Sequence, residues 1–175
     1  MKIAIIGAGA AGIIAAITAK RLNKNLHIDL FDANKGIGKK ILASGNGRCN
    51  ISNSKITSKN YIGENPDFTS FALKEFDFKA FEKFCKSIGL LLDIKPSGKV
   101  YPLSNEAKSV TNLLELALKE LDVNIHLESM ITDIEKVEDK FNIKTQDNEY
   151  KAYDKVLISN GLGAAPQLNA NESGL

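Results

Sequence analysis

The hydrophobic positions open the chain as a short, unbroken block. Lys2 to Ile6 is apolar at every position after the first and stops at Gly7. A strand covered on both faces reads this way, because neither face has to carry polar side chains. From Gly12 to Leu22 the spacing becomes helical, and Ala15, Ala16 and Ala19 are predicted to form a small-residue face that can lie close to a sheet. Leu26 to Phe31 returns to a strand and ends on Asp32. Strand, glycine turn, helix, strand and acid is the order of a right-handed βαβ crossover.

The middle of the chain is less regular. Asn34 to Asn53 is rich in Gly, Lys, Ser and Asn and predicts a loop with at most a short helix. Asp67 to Phe76 predicts a short helix. A second starts at an Asp77 cap, sets Phe78, Phe81, Phe84 and Ile88 on one face and ends at Gly89. That helical spacing makes the phenylalanines a packing stripe rather than a ring-stacking box for a ligand. Lys95 to Pro102 reads as turn-rich. Ser104 is placed as the cap of an amphipathic helix carrying Val110, Leu113, Leu114, Ala117 and Leu121. Beyond it, Asn124 to Leu127 predicts a strand, and Ile131 to Val137, Phe141 to Thr145 and Glu149 to Tyr153 predict a three-stranded meander. Val156 to Ile158 is a last short strand, running into the turn Ser159-Asn160-Gly161-Leu162-Gly163.

Together these elements predict an α/β fold: a Rossmann-type domain with a parallel sheet, begun by 2–6, 26–31 and 124–127 and rejoined by 156–158. The antiparallel meander occupies about 130–153 and a small helical insertion about 60–102. Composition agrees with a soluble globular protein, at 43% hydrophobic and 25% charged residues. The net charge of +2 comes from 23 basic and 21 acidic side chains spread along the chain, so nothing argues for a nucleic-acid or membrane partner. The apolar stretch from Ile3 to Ala19 is broken by Gly7, Gly9 and Gly12, too early to span a bilayer, and it lacks a signal-peptide pattern. Cys49 and Cys85 form no CxxC, and His27 and His126 stand apart, so no metal site is visible; a reducing cytoplasm is the expected compartment.

The candidate chemistry begins at Gly7-Ala8-Gly9-Ala10-Ala11-Gly12. In a phosphate-binding turn, Gly7 permits the tight bend off the strand, Gly9 lets backbone approach a pyrophosphate, and Gly12 lets the helix pack on the strand. The helix N-terminus then offers N–H groups and partial positive charge to phosphate. Glycines also gather in ordinary turns, but here the motif follows a strand, opens a helix and has Asp32 about 20 residues on. That carboxylate suits ribose hydroxyls and repels a 2′-phosphate. The fingerprint specifies a dinucleotide without choosing FAD over NAD.

A second unusual stretch is Gly38-Lys39-Lys40-Ile41-Leu42-Ala43-Ser44-Gly45-Asn46-Gly47-Arg48-Cys49-Asn50. Three cations directly after the ribose acid suit an anionic ligand. With this segment, the glycine fingerprint, Gly98-Lys99-Val100-Tyr101-Pro102 followed by Ser104, Ala107 and Ser109, and the late Gly161-Leu162-Gly163-Ala164-Ala165-Pro166, the whole chain resembles the BaiN/YhiN-type (HI0933-like) NAD(P)/FAD-dependent oxidoreductases. These are bacterial flavoproteins of the two-dinucleotide-binding-domain class.

The resemblance implies a cofactor and places its contacts. Gly7, Gly9, Ala10, Ala11 and Gly12 would line the FAD pyrophosphate, and Asp32, with Ala33 beside it, the adenosine ribose. Lys39, Lys40 and the segment holding Ser44, Gly45, Gly47, Arg48, Cys49 and Asn50 would run toward the flavin. Ile131 falls where related flavoproteins let a strand backbone meet the adenine edge, and Ser159, Asn160 and Gly161 replace the usual small-Thr-Gly turn of the second FAD contact. The implied activity is hydride transfer from NAD(P)H through the flavin to an electron-poor, enone-like small-molecule acceptor. Tyr101 and Cys49 are conceivable proton donors, but a packing tyrosine and an inert cysteine are the simpler readings, and no catalytic residue is named. Family members continue through a substrate domain to a C-terminal FAD motif, so the resemblance implies that this chain is the N-terminal, truncated portion, with a separate partner chain as one source of the missing part. Two other readings compete: a dinucleotide-binding module without turnover, and an inactive or split fragment.

Overall fold

The computed structural model describes residues 1–161. Its elements run β1 (Lys2–Ile6), α1 (Ala10–Leu22), β2 (His27–Phe31), α2 (Lys39–Ala43) and β3 (Ser52–Asn53). Next come α3 (Ser70–Glu75), α4 (Phe78–Ser87), β4 (Leu92–Ile94), β5 (Lys99–Pro102) and α5 (Ala107–Glu120). Five strands close the described chain: β6 (Asn124–His126), β7 (Ile131–Val137), β8 (Lys140–Thr145), β9 (Glu149–Tyr153) and β10 (Lys155–Ile158). The chain divides into two compact units, one formed by Met1–Ile41 with the chain from Leu114 onward, the other by Leu42–Leu113.

In the first unit a four-stranded sheet has the order β10-β1-β2-β6 and every pairing is parallel. The four strands expected to build the parallel sheet therefore do so. Ile28, Leu30 and Phe31 of β2 have no exposure, as a strand flanked on both sides requires. Helix α1 makes the crossover from β1 to β2. Its buried stripe is Gly12, Ile13, Ala16, Ile17 and Lys20, whereas Ala15 and Ala19 are only half-buried. The face is thus rotated from the small-residue face expected: burying Ile13 and Ile17 removes more apolar area from water than burying alanines. Lys20 fits into this stripe by sending Nζ to Lys24 O (3.2 Å) and Leu26 O (3.1 Å), burying its aliphatic stem.

The meander β7-β8-β9 is antiparallel throughout and packs on the same unit's sheet. Ile143 and Tyr153 meet Ala4 and Phe31 in one core cluster, with Ile6, Ile131, Phe141, Tyr150 and Val156 packed around it. Asp29 of β2 is buried in this layer, bonded to His126, Asn124 and Tyr153.

The second unit is more than the small helical insertion expected over about 60–102. Lys95 to Pro102 belongs to a hairpin, with Lys95 N–H donating to Lys99 O (2.9 Å), and β3-β5-β4 form a small antiparallel sheet. The strands were missed because β4 and β5 are three and four residues long, too short for a period-2 pattern to stand out from the turn between them. Helix α4 starts where expected: Asp77 Oδ1 accepts Ala80 N–H at 2.8 Å. Its Phe78, Phe81 and Phe84 are half-buried while Cys85 is fully buried. Ahead of it, the expected 67–76 helix is a 3-10 turn, Pro66–Thr69, leading into α3. Helix α5 buries Val110, Leu114, Ala117 and Leu118; Leu113 and Leu121 are half-buried, and Leu121 lies beyond its end.

Candidate dinucleotide-binding site

A cleft of about 600 Å³ opens in the first unit at the carboxyl ends of β1 and β2. That size falls within the range of small-molecule sites, about 300–1,000 Å³. Its walls are the glycine turn, the end of β2 with Asp32, Ala33 and Asn34, the start of α2, the entry to β7, and the turn after β10. This is where ligands bind open α/β sheets, because the loops leaving the strands diverge there.

The three glycines of the fingerprint separate cleanly by surroundings. Gly7 has φ +102°, and a Cβ there would come within 2.7 Å of the Asn160 backbone. A Cβ on Gly12 would come within 2.0 Å of Gly7 O and 2.6 Å of Ser159 Oγ. Both positions are closed by the protein itself. Gly9 is the opposite: nothing lies within 4 Å of where its Cβ would be. Gly9 caps α1 with extended backbone, and its carbonyl accepts Ile13 N–H at 3.0 Å. The exposed Ala10 and Ala11 follow as the first helical residues, where N–H groups have no partner within the helix. A cradle empty of side chain, floored by helix amides, matches the needs of a phosphate group.

Asp32 is half-buried beside this turn. Its Oδ2 accepts Ala8 N–H at 2.8 Å and its Oδ1 accepts from Asn34. Lys39 reaches the cleft with Nζ on Asn34 Oδ1 at 3.1 Å, and Lys40 Nζ lies near Gly161, 3.3 Å from where a Cβ on that glycine would sit. Ile131 lines the cleft while its side chain packs on the core cluster. Ser159, Asn160 and Gly161 also line it. Ser159 is tied inward: its hydroxyl donates to Ile6 O and Gly7 O, both at 3.0 Å. The serine side chain therefore braces β10 against the glycine turn.

Of the sequence candidates, Gly7, Gly9, Ala10, Ala11, Asp32, Ala33, Lys39, Lys40, Ile131 and the 159–161 turn come together in one cleft, with Gly12 packed beneath it. Ser44, Gly45, Gly47, Arg48, Cys49 and Asn50 belong to the second unit. There they form a tight coil with positive φ at Gly45, Asn46, Gly47 and Cys49. Cys49 N–H donates to Ser44 O and Arg48 N–H to Gly45 O, so two of this coil's amides are used internally. The Arg48 guanidinium sits 5.5 Å from the centre of the Tyr101 ring. Cys49 is buried, and burial pushes its thiol pKa up against a smaller lowering by a hydrogen bond with Ser44. That is the environment of an inert cysteine. Residues 162–166 of the late motif lie outside the described residues.

The sequence reading missed Asn34, Ser129, Met130, Thr132 and Asp133, which also line the cleft. Asn34 carried a usable signal, an amide two residues past the acid that ends β2; around Ile131, which the resemblance had placed, the neighbours 129, 130, 132 and 133 carried no local signal, since the meander's return to the sheet brings them there. Among the described residues, no helix is long and apolar enough to cross a membrane.

Comparison with known proteins adds to this geometry. The chain is 36% identical over 173 residues to the 3-dehydro-bile acid delta(4,6)-reductase of Clostridium scindens, an alignment covering 99% of this chain and 42% of that protein. It is 28% identical over 174 residues to the ribosomal RNA dihydrouridine synthase of Haemophilus influenzae, covering 97% of this chain and again 42% of the relative. The chain thus spans less than half the length of these curated relatives. The solved structure of the Diels-Alderase PyrE3 shares the fold, with a TM-score of 0.57 at 11% identity, over 93% of this chain and 32% of that one. The family model described as the HI0933-like protein Rossmann domain matches residues 1–175, and with the parallel sheet and glycine turn above, the chain belongs to that family.

Proposed function

We propose that the first unit's cleft holds the adenosine diphosphate part of FAD, and that the chain is the FAD-binding portion of an NAD(P)H-dependent flavoprotein oxidoreductase. The observation that carries this reading is the contrast between Gly9, whose Cβ position is empty, and Gly7 and Gly12, whose Cβ positions are filled by protein. A merely structural turn has no need of the empty position.

The chain's own residues would divide the work. The α1 N-terminus takes the pyrophosphate, with Lys39 and Lys40 adding positive charge at the mouth. Asp32 accepts from the ribose, and its negative charge disfavours a 2′-phosphate. The entry to β7, around Ile131, flanks the base. Asn160 and Gly161 lie further along the cofactor. A bound flavin supplies the capacity to take a hydride from a reduced nicotinamide and release it to a carbon acceptor. The substrate domain and the remaining flavin contacts would come from sequence corresponding to the rest of the relatives' length.

The acceptor we propose is an electron-poor carbon–carbon double bond conjugated to a carbonyl. The two relatives' names support the class. A delta(4,6)-reductase of a 3-dehydro-bile acid and a synthase of dihydrouridine are both named for the reduction of a carbon–carbon double bond. The higher identity to the bile acid reductase favours a small molecule; a uridine in RNA is the alternative the same chemistry admits.

The test is the visible spectrum of the purified chain with added FAD, alongside Gly9→Glu. A bound-flavin band in the wild type, lost in a folded Gly9→Glu, is the expected result. No bound flavin at excess FAD overturns the reading for this chain. A flavin that binds but is never reduced by NADH or NADPH favours the module without turnover.

A further inference from the structure

Asp32 does not stand open to the cleft on both of its oxygens. Its Oδ1 accepts two hydrogen bonds from Asn34, one from the backbone N–H at 2.8 Å and one from the side-chain amide at 2.8 Å. Its Oδ2 accepts the Ala8 N–H at 2.8 Å. An ionised carboxylate has about four lone-pair positions. With three engaged, one remains for a ligand, on Oδ2 beside the glycine turn.

The Asn34 amide is held in this role from its far end. Its Oδ1 accepts from Lys39 Nζ at 3.1 Å, so the amide oxygen faces an ammonium and the amide nitrogen a carboxylate. Turning the amide over would set oxygen against carboxylate and N–H against ammonium, unfavourable on both sides. The backbone is fastened too: Ser129 N–H donates to Asp32 O at 2.8 Å and Glu128 N–H to Asn34 O at 3.0 Å. Asp32, Asn34 and Lys39 all line the cleft.

We infer that Asn34 is a positioning residue that sets ligand specificity: by filling Asp32 Oδ1, it leaves the carboxylate able to take one hydroxyl of a ribose diol instead of both. The inference rests on the dinucleotide reading of the cleft. One ribose hydroxyl then gains a charge-assisted hydrogen bond, and the other has no carboxylate partner. A carboxylate open on both oxygens would treat the two hydroxyls alike.

The experiment compares FAD with its 2′-deoxyadenosine and 3′-deoxyadenosine analogues on the full chain, by quenching of flavin fluorescence. One analogue is expected to bind about tenfold more weakly than FAD, the other within about threefold of it. Asn34→Ala keeps the backbone N–H but opens one lone pair on Oδ1, so the tolerated analogue should now fall behind FAD as well. Lys39→Met, which frees the far end of the amide and weakens FAD and both analogues alike by removing a charge from the mouth of the cleft, should narrow the gap between analogues and serves if Asn34→Ala does not fold. Equal losses for both analogues in the wild type overturn the inference while leaving the cleft a dinucleotide site. Unchanged asymmetry in a folded Asn34→Ala overturns it too. Failure of the wild type to bind FAD overturns the reading of the cleft, and the inference with it.

Discussion

Tyr153 donates its phenolic hydroxyl to the Asp29 carboxylate across 2.6 Å, joining residues 124 positions apart in the chain. The bond ties the last strand of the meander to the second strand of the parallel sheet. Asp29 also accepts from His126 Nε2 and Asn124 Nδ2, each at 3.0 Å, with His27 Nε2 at 3.3 Å. Tyr153 is fully buried, so the hydroxyl has no water to fall back on. Tyr153→Phe leaves a buried carboxylate short of a donor and is expected to cost about 2 kcal/mol. The urea midpoint of unfolding measures this; a change below about 0.5 kcal/mol would mean the bond is dispensable.

The same pair gives stability a pH dependence. Burial acts to raise the Asp29 pKa, but hydrogen bonds from His126, Tyr153 and Asn124 and the charge of His27 outweigh it, holding the carboxyl well below the usual range. A depressed folded-state pKa contributes stability that is fully present above the unfolded value, about 3.9, and is lost as pH falls through the folded value. Tyr153 is shifted upward, first by burial and then by Asp29. Its contribution is fully present below the unfolded tyrosine value, about 10, and is lost as pH rises beyond it. Asp29→Asn should therefore flatten the fall in stability below about pH 4, read as unfolding midpoint against pH. An unaltered acid limb would assign acid sensitivity to other carboxylates.

Gly9 and Gly12 should respond oppositely to alanine. At Gly12 the added methyl meets the Gly7 carbonyl and the Ser159 hydroxyl, so α1 must move off β1, at a cost of about 3 kcal/mol. At Gly9 the backbone is extended with φ −80° and the space is open, so the fold should lose under about 0.5 kcal/mol. Gly9→Ala should nonetheless weaken FAD binding, because its methyl stands where phosphate approaches. Thermal melts and FAD titrations of the two variants separate these effects.

Ser159→Ala removes a hydroxyl bonded to Ile6 O and Gly7 O. A loss of about 1 kcal/mol in stability is expected, with FAD affinity changed less than about threefold. A large affinity loss at unchanged melting temperature would reassign the hydroxyl to the cofactor.

Neither cysteine should behave as a reactive thiol. Burial pushes the Cys85 pKa up to about 12, with the nearby Glu82 charge adding to the rise, and burial raises Cys49 as well. Thiolate is the reacting form, so alkylation by iodoacetamide at about pH 8 should be slow in the native protein and fast in urea. Rapid native labelling of Cys49 would restore it as a candidate proton donor.

How far the residues alone reach can be seen at the glycine turn. Lys2 to Ile6, the three glycines, α1, β2 and Asp32 follow one another closely, and each is dictated by local rules: apolar runs for buried strands, small residues where backbones touch, an acid at a strand end. The meander strands were legible for a similar reason, since alternation marks a sheet with one covered face. What local pattern could not decide was which faces met. The rotation of α1 toward Ile13 and Ile17, the arrival of 129–133 at the cleft, and the burial of Asp29 against Tyr153 depend on contacts between segments far apart in sequence. So does the state of Asp32: its place at the end of β2 was readable, but the filling of its Oδ1 by Asn34, held in turn by Lys39, exists only once β2, α2 and the loop after β6 converge. Hydrogen-bond capacity is local chemistry, whereas the partner that uses it is chosen by packing.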